Sequence, residues 1–138
     1  MGGRRQAREQ ALQILYQVDL ASAEPEQAMR LFWEAEPADP DVVEFARILI
    51  RAVVANQDKV DGLISDASIN WKPARMSYVD RNILRLATAE FLALPEVPPM
   101  VAVNEAIELG KRFGTTESGA FINGILDRIA RNLDLGGR

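Results

Sequence analysis

The sequence predicts an all-α fold of about seven helices joined by short connections, the pattern of a helical bundle. Three observations predict it. Apolar residues recur at helical spacing along nearly the whole chain, and no segment alternates apolar and polar residues as a half-buried strand would. Prolines at 25, 40, 73 and 95–99 fall between the periodic segments and punctuate them.

Taken in order, the first helix runs from about Arg4 to Ala21, with Ala7, Ala11, Ile14, Leu15 and Val18 on one stripe. Pro25 starts a short second helix carrying Met29, Phe32 and Trp33. Asp39-Pro40 reads as a helix start, with a side-chain oxygen for the open amides and proline in the first position. The helix that follows has Val42, Phe45, Ala46, Leu49 and Val53 on one side and Val43, Ile50 and Val54 on another, so it is central. After a break at Asn56-Gln57, a shorter helix places Val60, Leu63, Ile64 and Ala67, and Trp71-Lys72-Pro73 forms a connection.

From Val79 to Leu94 the pattern is broadly apolar, through Ile83, Leu84, Leu86, Ala87 and Phe91, until Pro95-Glu96-Val97-Pro98-Pro99 ends it. The last two helices cover about Met100–Phe113 and Glu117–Leu133. In the final one Phe121/Ile122, Ile125/Leu126, Ile129 and Leu133 repeat every turn. There is no internal repeat, and no low-complexity tail beyond Gly136-Gly137-Arg138.

At 138 residues the chain suits one domain with a real core. It has no cysteine and no histidine, which removes disulfides, thiolate metal sites and the commonest general base and metal ligand. No apolar run approaches the ~20 residues that span a bilayer, so a cytoplasmic protein without a membrane association is expected. The net charge of −4 hides polarity along the chain. Arg4, Arg5 and Arg8 open it without an acid, whereas residues 24–44 are strongly acidic, with Arg30 as the lone base. A local basic patch can bind phosphate while distant carboxylates limit non-specific association.

Chemistry-bearing segments point to binding rather than catalysis. Gly114-Thr115-Thr116-Glu117-Ser118-Gly119 superficially resembles a phosphate loop, but Ala120-Phe121 stands where Lys-Ser/Thr should follow and no strand precedes it. Gly114 is read instead as the end of one helix, with a threonine capping the next. No catalytic constellation, metal site or cofactor site is expected. Arg4 and Arg8 share a helix face with Arg5 adjacent, and their forked guanidinium groups suit phosphate. Positive charge at a helix amino terminus opposes the macrodipole, so these arginines are not placed for helix stability. The alternative is a solvated helix start. On the helix from Met100, Asn104, Glu105, Glu108, Lys111 and Arg112 fall in one sector opposite Val103, Ala106, Ile107 and Gly110, with Glu108 and Arg112 spaced to pair. Phe121, a core residue by period, sits one turn into the last helix, where its ring edge can reach the rim and stack on a splayed base.

The stretches Arg-Arg-Gln-Ala-Arg-Glu-Gln-Ala-Leu-Gln-Ile-Leu-Tyr-Gln at the start, Val-Asp-Arg-Asn-Ile-Leu-Arg-Leu-Ala at 79–87, Val-Ala-Val-Asn-Glu-Ala-Ile-Glu-Leu-Gly-Lys-Arg-Phe-Gly at 101–114 and Phe-Ile-Asn-Gly-Ile-Leu-Asp at 121–127 together resemble the NusB family of bacterial transcription antitermination factors. The resemblance covers roughly residues 4 to 133 in the family's order. It implies a single domain over 1–138 made of two packed helical bundles, about 4–70 and 76–134. It also implies binding to boxA RNA of ribosomal RNA operon leaders together with NusE, a small-subunit ribosomal protein. That pair joins NusA, NusG and RNA polymerase to suppress premature termination.

By position, Arg4, Arg5 and Arg8 match the family's arginine-rich start, Glu117 and Phe121 its RNA-contacting positions, and Tyr16 and Asp80 positions facing NusE. Lys111 and Ser118 complete the expected RNA-binding rim. Gln6 and Met100 depart from the pattern, standing where relatives often carry arginine and lysine. Replacing Arg4, Arg5 and Arg8 by alanine is expected to weaken RNA binding without unfolding the protein. Two other readings stay open: the NusB-like module of an rRNA cytosine methyltransferase, whose glycine-rich cofactor loop and cysteine nucleophile are missing here, and a purely protein-binding scaffold. Some family members self-associate, which leaves a homodimer open as well.

Overall fold

The computed structural model describes residues 3–135; the Gly136-Gly137-Arg138 tail lies outside them. The described residues form seven α-helices and no strand, as the periodicity predicts: α1 (Gly3–Ala21), α2 (Pro25–Ala35), α3 (Pro40–Ala55), α4 (Gln57–Ala67), α5 (Tyr78–Ala93), α6 (Pro99–Phe113) and α7 (Ser118–Asn132). A single 3₁₀ turn, Pro73–Arg75, interrupts the connection between α4 and α5.

Local chemistry sets the boundaries. The Glu24 carboxylate accepts from the amides of Glu26 and Gln27, and Pro25 occupies the first position of α2. Ser77 Oγ accepts from the Asp80 amide and opens α5. Asp39 departs from expectation: its side chain makes no capping bond, and α3 starts with Pro40 in first position while the Asp39 carbonyl accepts from the Val43 amide. Proline has no amide hydrogen, so one of the open donors that a side-chain cap would serve is already gone. At the far end of α1, Ser22 takes φ 52° and lets the Ala23 amide reach back to the Val18 carbonyl.

The centre is α5. Every residue from Asn82 to Glu90 is buried, and the helix touches α1, α3, α4, α6 and α7. An apolar surface that encircles a helix has to be covered from all sides, and Ile83 and Leu84, fully buried, each contribute on the order of 1.5–3 kcal/mol through burial. The helices α1, α2 and α3 pack together on one side of α5, and α6 and α7 on the other. The sequence division near residue 70 groups α4 with the first three helices. In the structure α4 carries Val60, Ile64 and Ala67 into the core and packs mainly on α5 and α7, with only slight contact to α3.

Polar residues fasten this arrangement. Asp19 of α1 accepts from Arg81 (2.9 Å), Asn82 (2.9 Å) and Arg85 (3.2 Å) of α5, and Arg85 also forks onto Asp61 of α4 at 2.8 and 3.0 Å. The Asp-Arg-Asn-Ile-Leu-Arg stretch at 80–85 thus supplies the cations and amide that join α1, α4 and α5.

Candidate nucleic-acid interface

The amino-terminal arginines share a helix face but not a role. Arg4 is exposed, with its guanidinium 4.3 Å from the centroid of Phe45 of α3. Arg5 is 60% exposed and forks onto Glu105 of α6 at 3.0 and 2.8 Å. Arg8 forks onto Glu90 of α5 at 3.0 and 2.7 Å, with side-chain exposures of 5% and 2%. This corrects the expectation for Arg8. Glu90, on the central helix, draws its guanidinium inward, and a buried forked pair has no free edge for phosphate. Arg8 positions the start of α1, while Arg4 and Arg5 remain on the surface.

The polar sector of α6 continues this surface. Glu105 takes Arg5, Lys111 lies 3.5 Å from Glu108, and Arg112 reaches Glu9 of α1 at 2.6 Å. The Glu108–Arg112 pair expected from spacing is therefore not made. A carboxylate on α1 lies within reach of Arg112, and Lys111 takes Glu108. Arg5–Glu105 and Glu9–Arg112 tie α1 to α6 along their exposed edges.

Past Lys111, the turn into α7 is shaped by close approach. Gly114 ends α6 with φ −98° and ψ −156°, an extended conformation open to any residue. Glycine is needed there for space: a Cβ would lie 2.7 Å from Ser118 Cβ and 2.8 Å from the Gly110 carbonyl oxygen. Ser118, expected on the rim, is only 1% exposed. Its hydroxyl accepts from the Thr115 amide and donates to Asp80 at 2.8 Å, so it braces the turn against α5 and cannot meet RNA directly. The expected threonine cap is not made: Glu117 holds the N-cap position of α7 without a side-chain capping bond, and Thr115 Oγ1 accepts from the Glu117 amide before the helix begins. A groove of about 530 Å³ opens here between Ile107, Lys111, Thr115 and Asn123.

Glu117 is exposed and Phe121 half-buried at the first turn of α7. Both line a second groove, about 240 Å³, with Trp71, Arg75, Met76, Ser77 and Asp80. Asp80, matched by position to a partner-facing role, therefore shares a groove with Phe121. Tyr16 stands apart. Its ring meets Tyr78 edge-on at 5.9 Å, and it lines a largely apolar groove of about 430 Å³ with Leu12, Phe32, Val79 and Phe113. Sequence reasoning singled out neither Tyr78 nor the groove role of Trp71 and Arg75, because none of them follows the apolar period.

The Arg5 bond holds the Glu105 carboxyl below the usual carboxylate range, against the opposing effect of partial burial. A depressed folded pKa adds stability above the unfolded value, near 4.3, that is lost as pH falls through the folded value. Wild type and Glu105→Gln are thus expected to differ in stability at neutral pH and to converge as the pH falls through the depressed folded value. Urea unfolding across that range checks it, and a difference that persists at low pH would refute the assignment.

Among the described residues, no group of three or more His, Cys, Asp and Glu side chains is placed to hold a metal ion, and no helix is long and apolar enough to cross a membrane. The NusB family model matches residues 5–131. A transcription antitermination protein NusB from Desulfatibacillum aliphaticivorans is 54% identical over 133 residues, 96% of this chain and 93% of that one. A structure of T. maritima NusB superposes with TM-score 0.86 at 42% identity, over 93% of this chain and 90% of the other. A crystal structure of antitermination factors NusB and NusE in complex with dsRNA gives TM-score 0.87 at 28% identity, over 96% and 98% of the two chains. With its family match, identity and fold agreeing over nearly their full length, the chain belongs to the NusB family.

Proposed function

We propose that this protein is a non-enzymatic RNA-binding adaptor of transcription antitermination that binds boxA RNA of ribosomal RNA operon leaders jointly with NusE. The observation that supports this reading is the near-complete superposition on a chain from the crystal structure of antitermination factors NusB and NusE in complex with dsRNA. Within the surface, Arg4, Arg5 and Lys111 hold backbone phosphates while Glu117 and Phe121 meet bases. That division suits single-stranded RNA, in which arginines track the backbone and aromatic rings stack on splayed bases. Glu117 can only accept hydrogen bonds, so it faces base edges or sugar hydroxyls rather than phosphate. Arg8 and Ser118 act by positioning α1 and the start of α7. Tyr16, on its apolar groove, and Asp80 face NusE, and the complex then joins NusA, NusG and RNA polymerase.

Arg5 and Arg112 already carry carboxylate partners, and Glu105 and Glu9 offset part of the attraction that an RNA phosphate would feel there. Modest affinity for RNA alone, raised by a second protein that extends the surface, follows. Fluorescence anisotropy with boxA and scrambled RNA, with and without NusE, tests the proposal. Equal or salt-insensitive binding throughout would overturn it. The Arg4→Ala/Arg5→Ala double variant is expected to weaken boxA binding and reduce the slope of log K against log salt by about 1 for each lost phosphate contact. Its unfolding curve should stay close to wild type, since an exposed ion pair is screened by solvent and contributes little to stability.

A further inference from the structure

We infer that Trp71 and Arg75, on the connection between α4 and α5, form the second wall of a nucleobase site whose first wall is Phe121. The inference rests on the RNA-binding reading above and extends it to two residues to which that reading gives no role.

Trp71 is 51% exposed and presents a large flat apolar face with a polar edge to the solvent. The backbone beneath it is held. Ser68, buried, donates its hydroxyl to the Trp71 carbonyl and accepts from the Trp71 amide. Lys72 Nζ donates to the Ser65 carbonyl at 3.0 Å, and Arg81 donates to the Pro73 carbonyl at 3.0 Å. An exposed ring on a fastened backbone is pre-organised, and little ordering remains to be done when a ligand arrives.

The surroundings select the ligand. Trp71 and Phe121 line the same groove of about 240 Å³, without a ring–ring contact between them among the described residues. Arg75, on the same groove, is exposed, and its guanidinium has no partner among the described residues, unlike Arg5, Arg8, Arg81, Arg85 and Arg112. A free forked cation beside two aromatic rings suits a nucleotide: phosphate on the guanidinium, base on the rings. Glu117 on the same groove accepts hydrogen bonds from base N–H groups, and its charge repels the phosphate, which keeps the backbone on the Arg75 side. The groove adjoins the RNA-facing start of α7, so an RNA chain held there reaches it directly.

The full-length protein with NusE and unlabelled boxA RNA provides the test. Trp33→Phe leaves Trp71 as the sole tryptophan of this chain. Its fluorescence should be quenched in step with RNA binding followed separately by anisotropy, with Trp33→Phe/Trp71→Phe as the blank. Trp71→Ala should weaken boxA binding by about 5- to 100-fold, with Trp71→Phe retaining most of it. Arg75→Gln should lower the salt slope by about 1. An abasic residue at one boxA position should abolish the effect of Trp71→Ala. If RNA binds while Trp71 fluorescence is unchanged and Trp71→Ala binds normally, the site is refuted and the RNA-binding function stands. If Trp71→Ala weakens NusE binding without RNA present, Trp71 is a protein contact and the site is refuted. If no variant, wild type included, binds boxA, the functional reading fails and the base site with it.

Discussion

Arg8→Ala is expected to lower the unfolding free energy by about 3–5 kcal/mol, the largest single effect at the amino terminus. The substitution removes a guanidinium that forks onto Glu90 and leaves a carboxylate with 2% side-chain exposure, on the central helix, without its cation. The loss exceeds the net contribution of the pair, because most of it is the cost of a charge left dehydrated and unpaired. Arg8 also lies 5.4 Å from the Phe45 ring centroid, so its removal loosens the contact of α1 with α3. Two further variants separate charge from packing. Arg8→Lys keeps the charge but loses the forked geometry. Arg8→Met/Glu90→Leu removes both charges and should recover most of the stability. Urea unfolding of the set measures it, and an Arg8→Ala loss under about 1 kcal/mol would show that Glu90 finds another partner or water. The triple alanine variant suggested by the sequence would therefore confuse unfolding with lost RNA contact.

The arginines show where legibility stops. Their common face is readable from the spacing of Arg4 and Arg8, and both do lie over Phe45. Depth is not readable, because it depends on a carboxylate 82 positions away that α5 carries into the core. The same limit explains Ser118. Its place at the first turn of α7 follows from the apolar period, yet its burial follows from Asp80, 38 positions away, which takes its hydroxyl. Gly114 was legible as the end of a helix but for a different reason than the structure provides: the next helix starts so close that no side chain fits. Helices, by contrast, are local objects, and their apolar repeat alone located all seven of those described.

The candidate site mixes the two kinds of information. Its rim residues Lys111, Glu117 and Phe121 lie where helix ends put them, and those ends are readable. What makes the rim a continuous surface is the pairing of Arg5 with Glu105 and of Glu9 with Arg112, contacts between distant segments that no spacing reveals. Those pairs also place carboxylates beside Arg5 and Arg112 and so moderate the basic charge of this surface.

Asp19→Ala is expected to destabilise the fold by about 3 kcal/mol, the second largest effect. A single carboxylate oxygen of Asp19 accepts from Arg81, Asn82 and Arg85, and the two guanidinium groups are only 12% and 10% exposed. Without Asp19, Arg85 keeps its fork onto Asp61, so the burden falls on Arg81 and Asn82. Arg81 retains the Pro73 carbonyl and the face of Tyr78, 4.8 Å away, neither of which neutralises its charge. This predicts a hierarchy: Asp19→Ala should cost more than Asp61→Ala, whose loss still leaves Arg85 a contact to Asp19. Asp19→Asn, which keeps an acceptor but not the charge, should fall between Asp19→Ala and wild type. Adding Arg81→Met to Asp19→Ala removes the uncompensated cation and should return part of the loss, a positive coupling that a double-mutant cycle measures. Additive effects in that cycle would mean that Arg81 relaxes into water, and the polar joint between α1 and α5 would then contribute far less than apolar packing. Because Arg81 also holds the Pro73 carbonyl, Arg81→Met alone should raise hydrogen exchange in the 73–75 turn that carries Arg75, linking the stability of the α1–α5 joint to the geometry of the proposed base site.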